Sequence, residues 1–125
     1  MRKIAGLSAI ALLVVAGSAA AHHSFAMFDQ TREVSLSGVV TEFQWSNPHS
    51  WVELDVPTDQ GGATEHWSLE AGSIHTLSNL GWKSKMLKPG DKIAITITPM
   101  KTGSRGGALQ TVVFADGHKI GGGGR

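Results

Sequence analysis

The sequence of 125 residues predicts an all-β domain with one short helix, preceded by a cleaved signal peptide. Three observations support this prediction. The N-terminus carries an apolar leader, five later stretches are strand-like with apolar residues alternating along several of them, and one stretch repeats apolar residues at intervals of three. Alternation is typical of strands with one buried face, whereas the interval of three is typical of a helix. The length and these patterns together indicate a single small domain.

The first 21 residues have the composition of a secretory leader. Two basic residues precede an apolar run from Ile4 to Val15, and small residues follow at 17–21 in the pattern that signal peptidase reads. The run is shorter than the roughly 20 apolar residues that a membrane-spanning helix needs. We therefore expect cleavage after Ala21 and a periplasmic or secreted protein that begins at His22.

The charge of the mature segment excludes some partners. Two of the 11 basic residues lie in the leader, so nine basic residues remain against ten acidic ones. A nearly neutral chain without a basic stripe argues against a nucleic-acid partner. Cysteine is absent, which excludes disulfides and thiolate metal sites. A domain of this kind depends on apolar packing, helped by a ligand or a partner.

Five strands are predicted between residues 33 and 119. In the first, from Glu33 to Trp45, the apolar phase changes at Gly38, which is typical of a bulge or bend in a strand that serves both halves of a small barrel. The other strands cover 52–56, 64–70, 93–97 and 109–115. A short helix over 72–80, capped by Ser73 and ended by Gly81, separates the third strand from the fourth.

This order of elements is that of the OB-fold, a small and partly open five-stranded barrel. We therefore predict a small five-stranded OB-like barrel over residues 33–119. An N-terminal arm at 22–32 precedes it and a flexible tail at 120–125 follows it. A plain five-stranded roll or a half-sandwich is the alternative.

Several segments of the mature chain carry recognisable motifs: Ala21-His22-His23-Ser24-Phe25, Ser37-Gly38-Val39-Val40, Trp45-Ser46-Asn47-Pro48-His49 with Trp51, Leu69-Glu70-Ala71-Gly72-Ser73, Gly81-Trp82 and Leu87-Lys88-Pro89-Gly90-Asp91. With these segments the chain resembles a family of small exported bacterial proteins classed as a domain of unknown function. The resemblance implies export and one small β-rich domain, and it implies no activity. The strand–helix order and the turn at 88–91 are also similar to periplasmic bacterial OB-fold proteins.

Three histidines form the first candidate site. A terminal His22 offers its α-amine, whose pKa is near about 8, together with its imidazole as one chelate. His23 adds a second imidazole, and His49 at the tip of the corner between the first two strands adds a third if the arm folds back. The nine residues between His23 and Glu33 reach roughly 30 Å when extended, which permits this.

Ligation by nitrogen alone favours Cu(II), with Zn and Ni as further candidates. A simpler interpretation of the same residues involves no metal. In that interpretation the paired histidines are an exposed, loose terminus, and His49 bonds only the backbone of its own turn.

Tryptophans define a second candidate surface. Trp45 and Trp51 flank the corner that contains Asn47, and exposed aromatics at the mouth of a barrel bind proteins or glycans. The alternative is that these rings cap the core, which is where Trp67 and Trp82 are expected.

Four titratable residues on the second and third strands form a weaker candidate metal patch. Glu53 and Asp55 share one face of the second strand, and His66 and Glu70 share one face of the third. If these strands pair with their apolar sets inward, the four side chains meet and suit a hard cation. The alternative is an ordinary solvated sheet face.

The motifs of common enzyme classes are missing from the sequence. There is no Gly-rich phosphate loop, no cysteine nucleophile and no serine in an elbow motif. These observations favour a binding or accessory module over an enzyme. The first hypothesis is transition-metal binding, copper first, and the second is a metal-free module that holds a periplasmic protein or glycan.

Overall fold

The structure, a computed structural model, describes residues 25–124. The predicted leader, His22, His23 and Arg125 lie outside the described residues. The elements are β1 (Val34–Gln44), β2 (Trp51–Pro57), β3 (Thr64–Glu70), α1 (Ile74–Asn79), β4 (Lys92–Pro99), β5 (Gly106–Val113) and β6 (Lys119–Gly121). Within this part of the chain, no helix is long and apolar enough to cross a membrane.

Strands β1 to β5 close into a barrel. Their order is β3-β2-β1-β4-β5, and a parallel pairing of Ser68–Glu70 with Gly106–Ala108 joins β3 to β5. Helix α1 lies in the connection between β3 and β4. The structure therefore confirms the all-β class and the five-stranded OB-like barrel. Closure through β3 and β5 distinguishes it from an open roll or a half-sandwich.

Strand β1 belongs to both halves of the barrel, as the phase change predicts. Residues 34–39 pair with β4, and residues 39–44 pair with β2. The register shifts between Val40 and Glu42, so the bulge follows Gly38 rather than including it. A side chain at Gly38 would collide with the backbone oxygen of Asp55, so glycine lets β2 approach closely at this point.

Aliphatic side chains that alternate along the strands fill the barrel. Nine of them are at most 4% exposed: Val40, Val52, Leu54, Leu69, Ile93, Ile95, Ile97, Leu109 and Val112. Each such side chain stabilises the fold by about 1.5–3 kcal/mol relative to exposure. The alternate residues of β2 and β3 are polar and point outward, so these strands present a polar outer face.

Trp82 closes one side of the barrel. Its ring is buried and packs against Phe43 and Phe114, with ring centroids 5.6 and 5.7 Å apart. Its Nε1 donates a hydrogen bond to the carbonyl oxygen of Gly121 at 2.6 Å. Trp67 packs against the core and is half-buried, and its indole N–H is buried without a hydrogen-bond partner among residues 25–124.

Residues 119–124 lie on the barrel instead of forming a loose tail. Strand β6 pairs with β5, and the amides of Gly122 and Gly124 donate to the carbonyl oxygens of Gln110 and Leu109 at 2.8 and 2.9 Å. The prediction of a flexible tail over 120–125 is therefore wrong for 120–124. A side chain at Gly122 would lie 2.5 Å from that of Leu109, so the glycines allow the backbone to run directly against β5.

The N-terminal arm is fixed to the end of β4. Phe28 is buried and forms an antiparallel bridge with Met100. Two backbone hydrogen bonds flank this bridge. The amide of Asp29 donates to the carbonyl oxygen of Pro99 at 2.8 Å, and the amide of Lys101 donates to the carbonyl oxygen of Met27 at 2.9 Å. These contacts place the start of the described chain beside the closed seam of the barrel.

Candidate functional site

The loop between β1 and β2 forms the predicted corner. Its Asn47-Pro48 peptide bond is cis. Ser50 is fully buried. Its hydroxyl donates to the carbonyl oxygen of Ser46 and accepts from the amide of Ser46, both at 3.2 Å. The hydroxyl of Ser46 in turn donates to the carbonyl oxygen of His49 at 2.7 Å. The backbone that carries His49 is therefore held by side chains at both ends of the corner.

Asn47 attaches the corner to helix α1. Its Oδ1 accepts a hydrogen bond from the amide of Ile74 at 3.0 Å, and this amide is one of those that a helix leaves unpaired at its start. Ser73 caps the same helix by accepting from the amide of Thr76 at 3.1 Å, as predicted. The side chain of Asn47, predicted as part of a partner surface, thus positions the corner on the helix.

His49 lies against Glu70 from the end of β3. The Nδ1 atom of His49 is 3.2 Å from Oε1 of Glu70, whose side chain is only 13% exposed. Within the neutral form of the imidazole, a carboxylate beside Nδ1 selects the tautomer that carries its proton on that nitrogen. That tautomer leaves Nε2 with a lone pair, and Nε2 has no hydrogen-bond partner among residues 25–124. This arrangement of imidazole and carboxylate is common for histidines that bind metals.

A cavity of about 200 Å³ lies beside this pair. Its wall is formed by the arm, the corner, the end of β3, the start of α1 and the C-terminal glycines, through Phe25, Phe28, Pro48, His49, Glu70, Thr76 and Gly123 among others. The arm therefore reaches the corner that carries His49. His22 and His23, the other two predicted ligands, lie outside the described residues and immediately precede this part of the arm.

The weaker candidate patch divides into two parts in the structure. Its first three members meet: Nδ1 of His66 is 2.8 Å from Oδ1 of Asp55, and Nε2 is 2.8 Å from Oε2 of Glu53. The other oxygen of Glu53 accepts from the hydroxyl of Ser68 at 2.8 Å. Glu70, the fourth member, instead contacts His49.

Both ring nitrogens of His66 are occupied by carboxylates. The hydrogen bond to Asp55 and then the one to Glu53 raise the pKa of His66 above its usual value of 6.5. An imidazolium that donates from both nitrogens has no lone pair for a metal. Consistent with this, the described range 25–124 contains no group of three or more His, Asp or Glu residues that could hold a metal ion.

The two tryptophans of the corner have different surroundings. Trp45 packs against the core, with its ring edge on Phe43 at a centroid distance of 5.9 Å. Trp51 points outward and lines a second cavity of about 270 Å³ together with Glu70, Arg105 and other residues. Only Trp51 is thus available as part of an open surface beside the corner.

Sequence reasoning missed three contributions to this region. It grouped Glu70 with His66, although Glu70 lies next to Trp51 in the ladder and hence at the corner. It did not assign Phe25 to the cavity of His49. It also treated the C-terminal glycines as loose, although their closeness to Gly72 is what forms one wall. The register of β2 and β3 was the available signal for Glu70, because pairing from a short corner places the end of β3 opposite the start of β2.

Comparison with known proteins adds a family and no activity. Residues 10–110 match a family of unknown function, DUF6152, and this range covers most of the chain and nearly the whole barrel. No curated protein and no solved structure matches the chain. The chain therefore belongs to the family of unknown function DUF6152.

Proposed function

We propose that this protein is exported and binds a transition metal, copper first, through His22, His23 and His49. In this proposal Glu70 orients His49, and the barrel serves as a rigid support for the corner. Cleavage after Ala21 supplies the terminal amine as a further nitrogen. The protein is then a small periplasmic binding or accessory module without a reaction of its own.

One observation carries the proposal: Phe25 lines the same cavity as His49 and Glu70. Phe25 follows His22 by three residues, a separation that spans at most about 10 Å of extended chain. The arm need not cross the molecule to bring its histidines to the corner. Since Phe28 and its neighbours fix the arm to β4, the entropy lost on closing this short segment is small.

The ligand chemistry favours copper. At this cavity the described residues supply the imidazole of His49, and a mature terminus at His22 supplies an amine and two more imidazoles. Nitrogen ligands in a flat arrangement suit Cu(II), and affinity for divalent metals in such sites rises to a maximum at Cu(II). Zn(II) and Ni(II) are the competitors against which copper should be measured.

The test is a titration of Cu(II) into mature protein whose first residue is confirmed as His22 by mass. We expect a d–d absorption band that saturates at one equivalent, and a loss of affinity of at least about 100-fold in a His22→Ala, His23→Ala double variant. His75→Ala is the matched control, because His75 is exposed and its ring is hydrogen-bonded to Asn79 on α1. Unchanged affinity in the double variant would exclude the terminal chelate.

A second candidate function is metal-free binding of a glycan or protein segment. The supporting observation is that Trp51 lines an open cavity on the outer side of β2 and β3, where OB-folds hold oligosaccharides. Binding of this kind would shift the emission of Trp51 on addition of oligosaccharide in the presence of EDTA. A Trp51→Ala variant would abolish that shift, whereas Trp45→Ala would alter stability, since Trp45 packs against the core.

A further inference from the structure

The second cavity contains two of the four methionines of the chain. It has a volume of about 270 Å³, and its wall includes Met27 from the arm, Met100 from the end of β4, and Trp51. Phe28 and Glu70 line this cavity and also the cavity of His49. The two cavities are therefore neighbours that share part of their walls.

The backbone holds the two methionines next to each other. The amide of Lys101 donates to the carbonyl oxygen of Met27, and Phe28 bridges directly to Met100. Met100 packs against Gly106 of β5. A Cβ atom added at Gly106 would lie 3.4 Å from the Cγ of Met100. One thioether is thus carried by the arm and the other by the barrel, on segments that are hydrogen-bonded to each other.

Neither core packing nor sugar binding explains both methionines. Met27 is 43% exposed, so its side chain is largely outside the core. Thioether sulfur is a weak hydrogen-bond acceptor and offers little to a sugar hydroxyl. Soft thioethers do suit Cu(I), and an unbranched methionine has enough rotatable bonds to turn its sulfur toward an ion. An indole face also attracts a cation, which gives Trp51 a role in the same cavity.

We propose that Met27 and Met100 bind Cu(I) in this cavity, with the ring of Trp51 beside the ion. The inference rests on the proposed function for its choice of copper, but it uses different ligands. The protein then offers a nitrogen site suited to Cu(II) and a thioether site suited to Cu(I) on either side of Phe28 and Glu70. Binding at the thioether site needs no change in the oxidation state of the ion.

The experiment is an anaerobic titration with Cu(I), in which the protein competes with a chromogenic Cu(I) chelator. We expect one equivalent to bind, with a loss of affinity of about 10-fold or more in Met27→Leu and in Met100→Leu, and a larger loss in the double variant. Leucine keeps the volume and apolarity of methionine, so the fold is retained. Met86→Leu is the control, because Met86 accepts from the amide of Lys83 away from this cavity.

Tryptophan emission supplies a second readout. Ag(I), which has the same preference for sulfur and no accessible redox change, should quench the wild-type protein more strongly than a Trp51→Phe variant. Cu(I) affinity that is unchanged within twofold in the double methionine variant would overturn the inference. If Cu(II) fails to bind the histidines while Cu(I) binding still depends on both methionines, the proposed Cu(II) site is wrong and the thioether site stands.

Discussion

Two histidines in this barrel contact carboxylates, and the two contacts differ in what they leave open. His66, on the outer face of β3, has one carboxylate at each ring nitrogen. His49, at the corner, lines a cavity and has, among residues 25–124, one carboxylate contact, from Nδ1 to Glu70. The same residue types therefore give a closed ion cluster in one place and an unoccupied donor atom in the other.

The difference comes from position in the barrel. His66 lies in the middle of a ladder, where Asp55 is its direct cross-strand partner and Glu53 its diagonal neighbour on β2. His49 lies in a loop outside the ladder, and the carboxylate that contacts it among residues 25–124 is that of Glu70 at the end of β3. A regular ladder thus saturates a histidine with neighbours, whereas a corner leaves room for a ligand.

The largest expected effect comes from removing each histidine in turn. Cu(II) affinity should fall by at least about 100-fold in His49→Ala, because a metal ligand is lost, and should stay within about twofold in His66→Ala. Competition with a Cu(II) chelator of known affinity measures both. Equal losses in the two variants would show that the closed cluster also binds copper and would break the comparison.

The carboxylates give the next largest effect. Glu70→Gln removes the charge that orients His49, and loss of such an outer partner typically weakens metal binding by about 10–100-fold. Glu53→Gln is the matched variant on the sheet face, where we expect no change in Cu(II) affinity. The same competition assay applies to both proteins, and a Glu70→Gln variant that binds as tightly as wild type would remove Glu70 from the site.

Replacing the serine that supports each region should lower the unfolding free energy by different amounts. Ser50→Ala leaves the partly buried amide and carbonyl of Ser46 without their partner, which should cost about 1–2 kcal/mol of unfolding free energy. Ser68→Ala should cost less than about 1 kcal/mol, because Glu53 keeps His66 as its other partner. Urea unfolding measures the loss of unfolding free energy in both variants. A larger loss for Ser68→Ala than for Ser50→Ala would contradict the claim that Ser50 holds the corner rigid.

The smallest effect is a dependence of stability on pH. Folded His66 has a raised pKa, so its bonds to Asp55 and Glu53 stabilise the fold fully below the unfolded value of 6.5. This contribution is lost as the pH rises through the folded pKa, and it should stay below about 1 kcal/mol because the imidazole is exposed. His66→Gln should therefore destabilise the protein at pH 5.5 and leave stability at pH 9 unchanged. A titration of the His66 ring proton by NMR should place its pKa above 6.5.

Most of the fold could be predicted from the sequence because its signals are local. Strand-like patterns of apolar residues located all five barrel strands, Ser73 and Gly81 marked the ends of α1, and Gly38 marked the region where β1 changes partner. The packing of the C-terminal glycines could not be read in this way. Glycine runs are ordinarily loose. Here the glycines pack directly against Leu109 because they have no side chains, and this contact exists only in the assembled barrel.

The site was predicted in part. His49 follows from the Asn-Pro-His corner alone, and the grouping of Glu53, Asp55 and His66 follows from strand alternation. The partner of His49 could not be predicted without the register of β3, and the placement of Phe25 depends on a bridge between residues 72 positions apart, Phe28 and Met100. Contacts between distant segments leave no periodic trace in the sequence.

The central claim is that the mature terminus and the corner meet at one copper ion. The most direct test is to add Cu(II) in less than one equivalent to the mature protein and record NMR spectra of its histidine rings and amides. The account predicts that the signals of His22, His23, His49 and Phe25 broaden first, while those of His66 and His75 remain sharp. Broadening of His22 and His23 with an unaffected His49 would contradict it, because the copper would then be held by the terminus alone.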